Sequence, residues 1–176
     1  PVESNVVAGN EPILIAAGRI DGDDRDDIVI VDGHTDQFNL PKLRIFLRGL
    51  QEGEFTEAGT IPLERGERPV AIAIGLFREA KSFSATTPPR PLKKPLDIAI
   101  VTQAVDPAAV VSLKGRGALR IFRNNGKGGL ERSAPIVFPD FAPASMLASD
   151  MLRNGGLTDL VIKEASVSGS KQRILY

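Results

Sequence analysis

"ILIAAGRIDGDDRDDIVIVDG", residues 13–33, joins two short aliphatic runs through a loop that carries five aspartates between positions 21 and 27. Each run has the length of a β-strand and is too short for an ordinary helix, so the stretch predicts two strands joined by a turn. The density of carboxylates also allows a metal loop or an acid–base site. The rest of the chain bears on this choice.

Composition narrows the class of protein. The chain has 176 residues, enough for one domain with a sizeable core. It has 22 basic and 22 acidic residues, so no net field favours binding to nucleic acid or to an anionic membrane. The absence of cysteine excludes disulfides, thiol catalysis and cysteine-ligated zinc. No apolar run approaches the length of a membrane-spanning helix.

Short apolar runs recur along the chain and are separated by Gly, Pro, Asp and Asn. None keeps helical spacing over ten or more residues, which predicts an all-β protein of short strands. The runs are ILIAAG (13–18), DIVIVDG (27–33), LRIFLR (43–48), VAIAIG (70–75), DIAIVTQ (97–103), LRIFRN (119–124), SMLASD (145–150) and DLVIKE (159–164).

These runs follow one another in a repeated order. An apolar strand is followed by a loop, then by Asp with an aliphatic strand, then by a strand that reads Leu-Arg-Ile-Phe. The marker aspartates are Asp27, Asp97 and Asp159, and "QRILY" (172–176) stands where the third Leu-Arg-Ile-Phe strand belongs. Repeats of several strands, spaced along the chain as these marker aspartates are, are typical of β-propeller blades.

We therefore predict a single β-propeller segment with repeats at about 13–68, 69–143 and 144–176. Residues 1–12 are predicted to form the last strand of a preceding blade. About two full blades and parts of two others cannot close a ring of about four to eight blades. We expect a segment of a larger propeller, or one that other chains complete.

The repeats resemble the FG-GAP/VCBS repeat family, found in integrin α-subunit propellers and in many bacterial secreted or surface proteins. The residues that carry the resemblance are "AAGRIDGDDRDDIVIVDG" (16–33) and "LRIFLRGLQEGEF" (43–55). The resemblance implies a propeller with a binding or scaffolding role and a location outside the cytoplasm. It does not specify a function, because such propellers host adhesion and enzyme scaffolding alike.

In this family the aspartate loop can bind calcium, a hard cation that takes six to eight oxygens. The motif implies side-chain ligands at Asp21, Asp23 and Asp27 and the backbone carbonyl of Arg25. Arg19 stands where the first carboxylate belongs, and it would act as an internal counter-ion to the aspartates. Two interpretations therefore stay open: a calcium loop, and a metal-free turn whose aspartates bind backbone amides.

The second and third repeats do not keep this loop. The second has a polar, Pro-rich insertion at 76–95, in which Phe77 and Phe83 are candidate anchors for a partner chain. A flexible loop is the simpler interpretation of the insertion.

The sequence shows no catalytic constellation: the single histidine, His34, follows a turn, and no serine lies in a nucleophile motif. We expect a non-catalytic segment that binds protein or glycan, or that acts as a scaffold, in a secreted, periplasmic or cell-surface protein. The alternative is the propeller portion of an enzyme outside the cytoplasm, such as a carbohydrate lyase or a redox protein. Its catalytic residues would then lie outside this chain. The expected partners are proteins, glycans or the remaining blades, and calcium is the one expected cofactor.

Overall fold

The structure, a computed structural model, describes residues 6, 8–33, 40–77, 95–105, 116–125, 129–149 and 158–165. These residues form three antiparallel sheets and no helix, which confirms the predicted all-β class. The described part of the chain accordingly offers no helix able to cross a membrane.

The strands follow the chain order within each sheet. The first sheet has the order β1-β2-β3-β4, the second has β5-β6-β7-β8 with β9 also paired to β7, and the third has β10-β11. The strands are β1 Pro12–Gly18, β2 Asp27–Asp32, β3 Lys42–Arg48, β4 Phe55–Pro62, β5 Glu67–Gly75, β6 Asp97–Ala104, β7 Gly117–Asn124, β8 Leu130–Arg132, β9 Ile136–Phe138, β10 Pro143–Ser149 and β11 Asp159–Glu164.

The three sheets, called repeats 1, 2 and 3 below, share one strand register. In each, the last residue of the first strand pairs with the marker aspartate that begins the second strand. The pairs are Gly18 with Asp27, Gly75 with Asp97, and Ser149 with Asp159. The first strands begin one or two residues before the predicted repeat boundaries.

A proline marks the same place in each first strand. It pairs with the residue five positions after the marker aspartate, and the register shifts by one residue directly after it. The pairs are Pro12 with Asp32, Pro69 with Thr102, and Pro143 with Glu164. A β-bulge beside a proline at the start of an edge strand is a position that sheets tolerate. The three repeats thus share an irregularity as well as a pattern.

Among the described residues, two large apolar cores lie between the sheets. Buried side chains of β2 and β3 meet those of β6 and β7 in the core between repeats 1 and 2. The second core joins β6 and β7 to β11 of repeat 3. Strand β6 contributes to both, because its alternate residues point to opposite faces: Ile98 and Ile100 lie in the first core, Ala99 and Val101 in the second.

The first strands of the repeats are neighbours. Strand β1 lies beside β5, and β5 lies beside β10. The first strand of each repeat therefore lies next to the first strand of the preceding repeat. The later strands of each repeat are progressively farther from its first strand within the sheet.

Candidate functional site

The aspartate loop lies between β1 and β2 and is built from local hydrogen bonds. The backbone N–H of Asp23 donates to Oδ1 of Asp21 at 2.9 Å, and that of Arg25 donates to Oδ1 of Asp23 at 2.7 Å. Aspartate side chains favour such turns because they reach the amide two residues ahead. Gly22, with a φ of 84°, supplies the left-handed backbone between them.

Arg25 neutralises part of this loop. Its guanidinium forms an ion pair with Oδ2 of Asp23, whose other oxygen accepts the backbone N–H of Arg25. The backbone hydrogen bond from Arg25 is the main reason that the pKa of Asp23 lies below its ordinary value, and the guanidinium adds to it against the effect of burial. Arg19 was predicted to be the counter-ion of the loop aspartates. At Asp23 the counter-ion is Arg25, and the Arg19 side chain is exposed.

Asp27 is fully buried and joins the ends of two strands. Its Oδ2 accepts the backbone N–H groups of Ile20 at 2.7 Å and of Asp21 at 3.2 Å, just after β1. Its Oδ1 accepts the N–H of Arg48 at 3.0 Å, at the end of β3. Carboxylates that accept backbone N–H groups make strong, charge-assisted hydrogen bonds, so Asp27 fixes the geometry of the repeat.

Asp97 performs the same role in repeat 2. It is fully buried, and it accepts the N–H of Phe77 at 3.3 Å and that of Asn124 at 2.8 Å, after β5 and at the end of β7. In repeat 3, Asp159 occupies the matching position opposite Ser149 and is 9% exposed. The aliphatic strand that the repeats share thus begins with an aspartate of low exposure in each one, and in repeats 1 and 2 its carboxylate accepts backbone amides.

The loop aspartates are engaged in contacts within the repeat. Oxygens of Asp21, Asp23 and Asp27 accept backbone amides, and Asp23 also holds a guanidinium. Among the residues that the structure describes, no group of three or more His, Cys, Asp or Glu side chains is placed to hold a metal ion. In this arrangement the Arg25 guanidinium holds Oδ2 of Asp23, so a cation would compete with it for that oxygen. Calcium binding by Asp21, Asp23, Asp27 and the Arg25 carbonyl stays a prediction.

The repeats are joined to one another by a hydrogen bond that recurs. The N–H of Leu96, directly before Asp97, donates to the carbonyl of Arg19 at 3.0 Å. One repeat further, the N–H of Thr158, directly before Asp159, donates to the carbonyl of Leu76, also at 3.0 Å. Arg19 and Leu76 each follow the glycine that ends a first strand. The contact between repeats 1 and 2 is therefore reproduced between repeats 2 and 3.

Close packing accompanies these hydrogen bonds. A Cβ atom on Gly18 would lie 2.7 Å from Cγ2 of Ile74, and one on Gly75 would lie 2.6 Å from Oγ1 of Thr158. The Thr158 hydroxyl also accepts the N–H of Leu76 at 3.0 Å. Asn124 adds a further link, because its side-chain amide donates to the carbonyl of Ile20 in repeat 1. Each junction thus needs a small residue where two repeats approach.

The two Leu-Arg-Ile-Phe strands place their arginines in equivalent positions with different surroundings. Arg44 forms a bidentate pair with Glu57 of the neighbouring strand, at 3.0 and 2.6 Å, near the surface. Arg120 forms a bidentate pair with Glu67 at the start of β5, and both side chains are almost fully buried. Burial opposes the charge of Arg120, yet the bonds and charge of Glu67 hold the pKa of Arg120 above its ordinary value.

Neither the buried pair nor the shared proline was predicted from the sequence. The pair had no local signal, because Glu67 and Arg120 are far apart in the chain. The proline had one: "EPILIA" (11–16), "RPVAIA" (68–73) and "APASML" (142–147) each carry Pro at the same point.

The remaining predicted residues have different outcomes. Phe77 is 8% exposed and packs in the core between repeats 2 and 3. That burial favours a packing role, and its role in binding a partner stays a prediction. Phe83, His34 and "QRILY" (172–176) lie outside the described residues, as do 78–94 of the insertion.

Comparison with known proteins adds no relative. No protein-family model matches the chain, and no curated protein matches it significantly. The resemblance to FG-GAP/VCBS repeats stays a prediction that depends on the quoted motifs.

Proposed function

We propose that the chain is a segment of a β-propeller of the FG-GAP/VCBS type and that its role is non-catalytic, as a scaffold or a protein- or glycan-binding module. The observation that carries the proposal is the repeated junction, in which Leu96 binds Arg19 as Thr158 binds Leu76. Equivalent contacts between successive sheets mean that each sheet is related to the next by a similar rotation and translation. The first strands lie side by side, which supports an arrangement of the sheets around a common axis.

The chemistry of the described carboxylates supports the scaffold role. Asp27 and Asp97 are buried acceptors of backbone amides, and Glu67 is paired with Arg120. General acid–base catalysis needs a titrating group in contact with substrate. These side chains serve the fold. Placement outside the cytoplasm, as a secreted, periplasmic or cell-surface protein, belongs to the same proposal because the family resemblance implies it.

Distances between spin labels test the propeller. Cysteines are introduced at Ile15 and Leu147, on the first strands of repeats 1 and 3, and in a second sample at Glu57 and Glu131, on outer strands. The inner pair spans two repeat steps and the outer pair spans one, so the distances are compared per repeat step. In a propeller the outer strands diverge from the axis, so the distance per step is expected to be clearly larger for the outer pair. Equal spacing per repeat at both radii would indicate a parallel stack and contradict the propeller.

Turnover assays test the non-catalytic role. The purified chain is incubated with a panel of acidic polysaccharides, and ultraviolet absorbance detects the unsaturated sugar that a lyase would release. We expect no product above that of a heat-denatured control. Product formation that the folded chain alone supports would contradict the proposal and show that catalytic residues lie within this chain.

A further inference from the structure

The sequence contains two Asp-Gly bonds, and they lie on either side of strand β2. Asp21–Gly22 belongs to the aspartate loop, and Asp32–Gly33 comes where β2 ends. Glycine has no side chain to shield its backbone nitrogen, so that nitrogen can attack the side-chain carboxyl group of a preceding aspartate. Because the two bonds have the same residues, any difference in their reactivity comes from the fold.

The bond between Asp21 and Gly22 is open to this reaction. Asp21 is exposed, and Gly22 has a φ of 84°. Within the part of the chain that the structure describes, the Gly22 N–H has no hydrogen-bond acceptor. Oδ1 of Asp21 accepts the N–H of Asp23 at 2.9 Å, which directs the Asp21 carboxyl group forward along the chain, past the Gly22 amide. The nitrogen and the carboxyl group therefore lie together in an exposed turn.

The bond between Asp32 and Gly33 is held by the sheet. The N–H of Gly33 donates to the carbonyl of Glu11 at 2.8 Å. The two carboxylate oxygens of Asp32 accept the N–H groups of Asn10 at 3.2 Å and of Glu11 at 3.1 Å. Asp32 also pairs with residues of both neighbouring strands. A reaction here would have to break hydrogen bonds at the attacking nitrogen and at the carboxylate.

We propose that Asp21 is a site of spontaneous isoaspartate formation in the folded chain and that Asp32 is protected from it. The Gly22 nitrogen forms a bond to Cγ of Asp21, and a Cγ–O bond breaks as the oxygen leaves in a water molecule with the amide proton. Water then opens the succinimide ring. Attack at the main-chain carbonyl carbon gives isoaspartate, and attack at Cγ restores aspartate. Water is the only reactant beyond the chain, and the chemistry is independent of the proposed propeller.

The product changes the aspartate loop beside a junction between repeats. Isoaspartate routes the main chain through Cβ and Cγ of Asp21, which lengthens it by one methylene group and removes the side-chain oxygen that Asp23 binds. A Cβ atom on Gly22 would lie 3.5 Å from Cδ of Pro95, so the loop is close to this residue. The next residue, Leu96, makes the hydrogen bond to Arg19 that joins repeats 1 and 2. Isoaspartate at Asp21 should therefore disturb this end of the junction.

Storage of the folded chain in warm, neutral buffer over several weeks tests the proposal. Trypsin separates the two bonds, because one falls in peptide 20–25 and the other in peptide 26–42. Isoaspartate leaves the peptide mass unchanged, resists cleavage by endoproteinase Asp-N and is methylated by protein isoaspartyl methyltransferase. We expect the isoaspartate fraction at Asp21 to exceed that at Asp32 by about tenfold or more. Asp21→Glu keeps the charge but would need a larger ring, so it should remove most of the signal from peptide 20–25.

The same storage in guanidinium chloride separates the effect of the fold from that of the sequence. Unfolding removes the hydrogen bonds at Asp32 and Gly33, so the two Asp-Gly bonds should then react to similar extents. Circular dichroism confirms that the native chain and Asp21→Glu stay folded in buffer. A folded chain in which Asp21 forms no more isoaspartate than Asp32 would overturn the proposal. A preference for Asp21 that persists unchanged in guanidinium chloride would overturn it as well, because the fold would not be its cause.

Discussion

Oδ1 of Asp97 accepts the backbone N–H of Asn124 at 2.8 Å, at the point where the second and third strands of repeat 2 come together. Asp27 makes the matching bond with Arg48 at 3.0 Å in repeat 1. A carboxylate at this position holds the second and third strands together at one end of the sheet. The aliphatic side chains of the second strand then pack on both faces of the sheet.

Asp97→Ala should destabilise the protein by about 3 kcal/mol, because two buried backbone N–H groups lose a charged acceptor. Urea unfolding followed by circular dichroism measures the free energy of unfolding. Asp26→Ala is the matched control: Asp26 is exposed beside the marker Asp27, so its change should stay within about 0.5 kcal/mol. Equal losses for the two variants would refute a structural role for Asp97.

Arg120→Ala should cost about 3–5 kcal/mol, because Glu67 would keep a buried charge without its partner. The double variant Glu67→Leu/Arg120→Met should be more stable than Arg120→Ala, since it removes both charges and retains volume. The equivalent Arg44→Ala, near the surface, should cost no more than about 1 kcal/mol. A double variant less stable than the single one would contradict this account.

Gly75→Ala should destabilise by about 1–3 kcal/mol, because the added methyl group displaces the Thr158 side chain and disrupts its bond to the Leu76 N–H. Gly59→Ala is the control, since nothing lies within 4 Å of a Cβ at that strand position. It should be neutral or slightly stabilising. Thermal melts of both variants give the comparison, and a neutral Gly75→Ala would mean that the junction is loosely packed.

The stability of the native chain should depend on pH partly through Glu57. Its hydrogen bonds from Arg44 lower the pKa of Glu57 from 4.5, and partial burial opposes them. A carboxylate with a lowered folded pKa stabilises above its unfolded pKa, and the contribution disappears as pH falls through the folded value. Glu57→Gln should therefore lose less stability than the native chain between neutral pH and about pH 3.

That difference should stay within about 1 kcal/mol, because the pair is near the surface and solvent screens it. Unfolding curves at several pH values measure it, with Glu52→Gln in the exposed turn as control. Parallel pH profiles for the native chain and Glu57→Gln would argue against a lowered pKa.

Calcium affinity should rise when Arg25 is replaced by alanine, because the guanidinium competes with any cation for Asp23. Calorimetric titration compares the native chain with Arg25→Ala over micromolar to millimolar calcium, the range of weak protein sites. Arg25→Ala combined with Asp21→Ala is the control and should lose the gain. Equal binding by the native chain and Arg25→Ala would contradict competition by Arg25, and no heat of binding in either titration would remove the loop as a calcium site.

The sequence predicted the all-β class and many of its strands, and the reasons are local. Aliphatic runs bounded by Asp, Gly and Pro define strands whatever the surroundings, and the recurrence of Asp27 and Asp97 before such runs marked equivalent positions. The opening loop was predicted as either a turn or a metal site. The structure gives the turn its hydrogen bonds, whereas calcium binding stays a prediction.

Long-range partners were not predictable in this way. Nothing near Arg120 in the chain indicates that Glu67 lies beside it, because that pairing depends on how β5 returns along the sheet. Arg44 stands in the same Leu-Arg-Ile-Phe sequence as Arg120, yet it pairs with Glu57 of the neighbouring strand. Phe77 looked like an exposed anchor because it stands at the start of a polar insertion, yet the second core covers it.

The shared prolines have a consequence for solubility. Pro12, Pro69 and Pro143 all lie on strands at the edge of their sheets, where unpaired N–H groups would offer a template for strands of other molecules. Proline has no N–H to offer, and the bulge beside it twists the edge out of register. Each sheet of short, aliphatic strands is thereby less open to amyloid-like pairing at its first-strand edge.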